Sequence, residues 1–401
     1  MKQSPFFEFF NRRASRSFDN FMAVSSEDVD FINWNDFTLA LDYGDAEYEY
    51  TELRQRCALF DVSPIRKIRV TGPAAGRLFD YVLTRPVSGS PSQRGIYVAF
   101  CDADGMLKDD SILYKFADDD YLFMPSDIDH SAYLVKCSKS LDIEPSQLNI
   151  AECTEDWHGV AIQGPASAVV LDDMGFTDVA NIKPFDVRDY ARNGSIVKLA
   201  RMGFTADLGY ELWFEPPFTR LFKNALELAR SRLSMTLPGY GLSALEACRL
   251  EGGFIVAGWD FSTEADPDPD FQRSPFEVGL GWLVDLKKAD FVGRDALLRE
   301  REKGQRYVLK QFKVDKKFEL KSGDPVYADV DGVATHIGIV NCSSWSWGLA
   351  HTIGNLSIFI EFADQLGAWL LVDGQRVNIE LTKEFLLKLE RRNRVPSDLL
   401  L

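Results

Sequence analysis

The feature that most restricts what this chain can fold into is a segment that occurs twice. Ile68-Arg-Val-Thr-Gly-Pro-Ala74 runs on to Leu78-Phe-Asp80, and Val160-Ala-Ile-Gln-Gly-Pro-Ala166 runs on to Val170-Leu-Asp172. In each copy a β-branched run ends in Gly-Pro-Ala and a helical apolar pattern begins. Glycine lets the chain reverse out of a strand. Proline suits the first turn of a helix, where its missing N–H removes no hydrogen bond. Two such units predict duplicated α+β halves facing each other, with a ligand cleft between them; the plainer alternative is coincidence, because Gly-Pro-Ala is a common turn.

Between the copies, strands are expected over 95–101, 111–116 and 121–124, separated by the turn-forming runs Asp102-Ala-Asp-Gly105 and Ala117-Asp-Asp-Asp120. After the second copy, strands follow at 195–201 and 210–214, then helical spacing over 218–233 and 242–251. From about Gln311 the texture changes to short strands at 312–314, 325–327, 336–340, 356–360 and 375–379, broken by Gly and Asp turns. That pattern predicts a small β-barrel, entered through Lys303-Gly-Gln-Arg306. A chain of 401 residues, 46% hydrophobic, has the length and the apolar material for more than one core.

Several functions are disfavoured by the same residues. A net charge of −16 repels nucleic acid and anionic membrane, and the only dense basic run, Glu390-Arg-Arg-Asn-Arg394, is short and mixed in sign. No stretch has the length and uniformity of a membrane span. The N-terminus places apolar residues before basic ones, the reverse of a secretory leader, so it reads as a short arm or amphipathic helix and a cytoplasmic location is expected. Six cysteines without a CxxC pair and four scattered histidines supply no metal-ligand spacing, so no metal is expected. Gly239-Tyr-Gly241 followed by Ala244 imitates a dinucleotide fingerprint, but it follows a helix rather than a strand and reads as a helix stop and the next N-cap. Glu264–Asp270 lacks EF-hand spacing and reads as a solvated acidic loop.

Two places carry candidate chemistry. In Asp104-Gly-Met-Leu-Lys-Asp-Asp110-Ser-Ile-Leu-Tyr114, adjacent carboxylates stand where a turn feeds a strand, so their side chains point to opposite faces. One can be solvated while the other faces inward and needs a donor or cation; turn formation is the commonplace role of such a pair. Glu211 interrupts an otherwise apolar strand, Gly209-Tyr-Glu-Leu-Trp-Phe214, and suits a flat heterocycle presenting an amino group beside a ring N–H.

Taken in order, Cys57–Ser63, Asp104–Tyr114, Ile162-Gln-Gly-Pro165, Gly203-Phe-Thr-Ala-Asp-Leu-Gly-Tyr-Glu211, Arg249-Leu-Glu251, Ser274–Gly281 and Asp290–Arg294 resemble the folate-dependent aminomethyltransferase family. The resemblance runs from about Tyr43 to Ile379. It implies an α+β cloverleaf, with two related ferredoxin-like units and a C-terminal β-barrel around a central folate channel. Residues 1–305 would form the folate-binding region, 306–385 the barrel and 386–401 a tail. Asp110 matches the family's catalytic aspartate, and Glu211 the glutamate that pairs with the pterin of tetrahydrofolate. Phe204, Tyr97, Gln163, Ser126 and Arg249 match pocket positions.

Departures bear on the substrate. The family's Ser-His-Met is Ser63-Pro64-Ile65, its Gly-Tyr-Thr-Gly-Glu-Asp-Gly is Gly203-Phe-Thr-Ala-Asp-Leu-Gly209, and Leu245 stands where an arginine reaches the folate tail. A Ser-Pro-Ser stretch becomes Trp345-Ser-Trp347; these indoles would flank a cationic donor or, more plainly, pack at the barrel's end. The departures resemble the demethylase branch, in which a small methylated donor gives its methyl to tetrahydrofolate. The alternatives are an aminomethyltransferase of the glycine-cleavage T-protein type, which needs lipoyl H-protein, and a folate-binding protein without turnover. None requires nucleic acid or membrane.

Overall fold

The computed structural model describes residues 2–11, 30–125, 127–382 and 384–396. The repeated segments head two five-stranded antiparallel sheets of matching layout. The first runs Arg94–Cys101, Leu107–Ala117, Asp120–Pro125, Ile68–Thr71, Asn149–Glu152 in spatial order. The second runs Val187–Arg192, Ser195–Ala200, Gly209–Phe214, His158–Gln163, Ala58–Asp61. Helices Ala75–Val82 and Ser131–Ser140 cover the first sheet, and Ser167–Asp173 and Thr219–Leu233 the second.

Each Gly-Pro-Ala strand sits fourth of five, and the edge strand beside it comes from the lead-in to the other copy. Ala58–Asp61, just upstream of the first copy, pairs with the second copy's His158–Gln163. Asn149–Glu152, just upstream of the second copy, pairs with the first copy's Ile68–Thr71. The turns agree atom for atom. Gly72 and Gly164 both have φ +116°, open only to glycine at low cost. Ala74 N donates to Gln147 O at 3.2 Å and Ala166 N to Arg56 O at 2.8 Å, each acceptor lying two residues before an exchanged strand. A Cβ on either glycine would overlap a carbonyl of that same lead-in segment. The duplication expected from the sequence is therefore present, with reciprocal strand exchange that the pattern did not announce.

The sheets share a core that includes Tyr114, Leu122 and Met124 from the first and Phe60, Ala161 and Trp213 from the second. The N-terminal arm is helical over Phe7–Asn11, and Phe6 and Phe10 are fully buried in the second unit. Asp61 accepts the Phe6 amide at 2.9 Å, which fixes the arm to the exchanged strand.

Six strands close the expected barrel: Tyr307–Val314, His351–Phe359, Val333–Ser346, Pro325–Val330, Gly367–Val372 and Gln375–Thr382. Gly367–Val372 was not foreseen. Helix Leu242–Glu251 packs on the barrel and begins directly after Gly241, so the glycine pair that imitates a nucleotide loop is a helix N-terminus. No helix among the described residues is long and apolar enough to cross a membrane.

Candidate functional site

Strand geometry separates the two aspartates as alternation requires. Asp109 is fully buried, with His130 Nε2 3.6 Å from its Oδ2. Burial first, then Lys108, pushes His130 down to about 4, so it is neutral there. Asp110 turns to the opposite face, where Tyr97 donates its hydroxyl to Oδ2 at 2.8 Å. Burial, followed by the charges of Asp109 and Asp260, holds Asp110 well above the ordinary carboxylate range, while the Tyr97 hydroxyl opposes the rise.

Asp110, Ile112 and Tyr114 lie on one face of Leu107–Ala117, and Ile112 and Tyr114 pack with residues of the second sheet. Tyr114 donates to Glu211 Oε2 at 3.3 Å and accepts from Trp213 Nε1 at 3.3 Å. Burial pushes Glu211 up to about 7, and the Tyr114 and Trp213 donors limit the rise. Thus each sheet supplies one carboxylate with a tyrosine hydroxyl beside it, Asp110 with Tyr97 and Glu211 with Tyr114. Tyr97 also touches Trp282, an exposed ring 5.9 Å away between centroids.

The other expected residues separate into distinct environments. Gln163 is fully buried beneath the 203–209 loop: its amide nitrogen donates to Met202 O at 3.2 Å and Tyr210 O at 3.4 Å, and its oxygen accepts from Thr205. Gly203 and Gly209 leave the room it fills, because a Cβ on either would overlap the amide. Phe204 is exposed on that loop and stacks on Phe254 at 5.2 Å. Arg249 is buried and engaged: it pairs with Asp260 at 2.7 Å and Glu246 at 2.5 Å and donates to Phe254 O. Asp260 in turn accepts from the barrel's Asn355 at 2.8 Å, so Arg249 ties helix to barrel. Trp345 lies near Lys317, and Trp347 packs on Tyr50 at 5.5 Å beside a 330 Å³ cleft. Ser126 lies outside the described residues.

Three site neighbours escaped the sequence reading. Lys67 is fully buried, donates to Ser63 O at 2.9 Å and Ile65 O at 2.7 Å, and rests over the Trp213 ring. It holds the departing Ser-Pro-Ile loop and lowers Glu211's proton affinity. Asp260 and Glu246 complete the acidic surroundings of Arg249. A lysine inside a β-branched strand start is a visible signal; Asp260, in an irregular segment, left none.

Among the described residues no cluster of His, Cys, Asp and Glu is suited to a metal ion. Residues 22–288 match the GCVT N-terminal domain family. The aminomethyltransferase of Halothermothrix orenii is 29% identical over 88% of this chain and 90% of its own length. That of Thermotoga maritima is 31% identical over 73% of this chain and 76% of its own. Trimethylamine-oxide aldolase of Ruegeria pomeroyi is 29% identical over 74% of this chain, which spans 37% of that longer protein. The aminomethyltransferase T structure from Bartonella henselae superposes over 98% of this chain and 99% of its own with a TM-score of 0.80 at 19% identity, which shows a shared fold. This chain belongs to the folate-dependent aminomethyltransferase family, enzymes of one-carbon transfer.

Proposed function

We propose that the protein transfers a methyl group from a small methylated donor to tetrahydrofolate. The observation that carries this reading is the pair Asp110 and Glu211, presented from opposite sheets with tyrosine hydroxyls beside them and both raised in proton affinity. Glu211 suits the amino and ring N–H donors of a pterin, which would favour its ionised form. Tetrahydrofolate supplies a nucleophilic N5 when bound. Asp110, raised toward neutrality, is suited to hold the proton that leaves N5 as the new N–C bond forms; the electron pair of the broken bond departs with the donor. Tyr97 orients Asp110 for this task.

At the folate-tail positions of the helix Leu242–Glu251, Leu245 offers no cation, and Arg249 is occupied by Asp260 and Glu246. A small donor is favoured by the departures of Ser63-Pro64-Ile65 and of the 203–209 loop from the family pattern. The likeness to trimethylamine-oxide aldolase, named for a small methylated substrate, points the same way. The second reading, aminomethyl transfer from a lipoyl-borne arm, is favoured by the near full-length alignment with the H. orenii aminomethyltransferase. Anaerobic incubation with tetrahydrofolate and sulfonium, quaternary ammonium, aryl methyl ether and N-methyl amino acid donors separates the two. 5-Methyltetrahydrofolate by mass spectrometry supports the first; 5,10-methylene-tetrahydrofolate formed only with aminomethyl-lipoyl H-protein replaces it with the second.

A further inference from the structure

The basic run at 390–394 faces the site loop. Arg391 grips Asp207 with two parallel hydrogen bonds, Nε to Oδ1 at 2.6 Å and Nη2 to Oδ2 at 2.8 Å. The same Nη2 donates to Arg54 O at 2.9 Å. Asp207 also accepts from Arg54 Nη1 at 3.1 Å and from the Leu208 amide at 2.8 Å, so four donors fill a buried carboxylate. Next along the tail, the Arg392 guanidinium lies 4.8 Å above the Phe254 ring, which stacks on Phe204. The tail is itself anchored: Leu387 N donates to Glu251 O at 2.9 Å, and Arg201 donates to Arg392 O.

The loop has a reason to need holding. Ala206 has φ +57°, a left-handed conformation that disfavours any residue with a Cβ, and it stands where the family pattern carries glycine. Its methyl also lies so close to Gly252 that a Cβ there would overlap it. A strained turn of this kind persists only when its surroundings over-determine it.

We infer that Arg391 and Arg392 are positioning residues that clamp the 203–209 loop and so set the place of Phe204 at the pocket. The inference rests on the reading that this loop borders bound tetrahydrofolate, but its structural half can be tested without any ligand. Backbone hydrogen exchange on the full chain is the first arm. In Arg391→Ala, amides of 203–209 should exchange at least about tenfold faster while 158–163 and 187–192 are unchanged. Unchanged loop exchange overturns the clamp whatever the protein binds.

Affinity for tetrahydrofolate is the second arm. Arg391→Ala should weaken it about tenfold, and Arg391→Lys should recover part of the loss, because lysine keeps the charge but not the two-pronged grip. Arg392→Ala serves as an independent variant if Arg391→Ala folds poorly. Arg376→Ala removes an exposed two-pronged pair with Asp329 on the barrel, far from the loop in sequence, and should change nothing. In a Phe204→Ala background the effect of Arg391→Ala should shrink; full additivity means the arginine does not act through Phe204 and overturns the positioning role. Wild-type protein that fails to bind tetrahydrofolate overturns the functional reading, and the exchange arm still decides the clamp.

Discussion

Asp110 and Glu211 share a residue type and a raised proton affinity but have separable roles. Asp110→Asn should lower turnover roughly 100- to 10,000-fold while tetrahydrofolate affinity stays within a few-fold, measured by single-turnover kinetics and calorimetry. Glu211 makes a pH prediction. Its folded value, about 7, exceeds the ordinary 4.5, so the folded state holds its proton longer than the unfolded chain. Its contribution is fully present below about pH 4.5 and is lost as pH rises toward 7. Glu211→Gln should therefore gain on wild type over that window, by on the order of 2 kcal/mol in chemical unfolding of the free protein. Binding that uses the ionised glutamate runs the other way: wild-type affinity for tetrahydrofolate should rise through pH 7, and the Gln variant should lose that rise. A flat wild-type profile would remove Glu211 from the pterin.

Among the elements, the two Gly-Pro-Ala turns do equivalent work. Gly72→Ala and Gly164→Ala combine a positive φ with overlap of a backbone carbonyl, and each should cost more than about 2 kcal/mol, read as a lowered thermal midpoint. These turns were also the most legible part of the fold, because glycine and proline act within a few residues of themselves. The barrel showed itself through strand composition for the same local reason. Strand exchange was hidden: neither Ala58–Asp61 nor Asn149–Glu152 was foreseen as a strand, and nothing local distinguishes His158–Gln163 from Ile68–Thr71 as the partner of Ala58–Asp61. The site divides along the same line. Opposite faces for Asp109 and Asp110 follow from alternation and were readable. That Gln163 sits under a loop depends on a segment about 40 residues away, and Arg249's pairing with Asp260 depends on an irregular segment past the end of its helix that carries no local mark.

Across the whole molecule, the ion pair Arg249–Asp260 and its link to Asn355 join the α+β units to the barrel. Arg249→Met leaves Asp260 buried without its cation and should cost about 3–5 kcal/mol, so a fall in thermal midpoint should accompany any loss of folate affinity. A large affinity loss at unchanged stability would instead make Arg249 a direct contact. The exchanged edge strands carry a consequence for synthesis. On the ribosome, Ala58–Asp61 emerges early, yet its partner His158–Gln163 follows only after roughly 100 more residues, a wait of about 5–20 s at ordinary elongation rates. Through that interval the nascent chain can finish the sheet headed by Ile68–Thr71 while an apolar Ala-Leu-Phe segment stays unpaired beside it. That segment is where a chaperone would bind first, and where a stalled or truncated product would begin to aggregate.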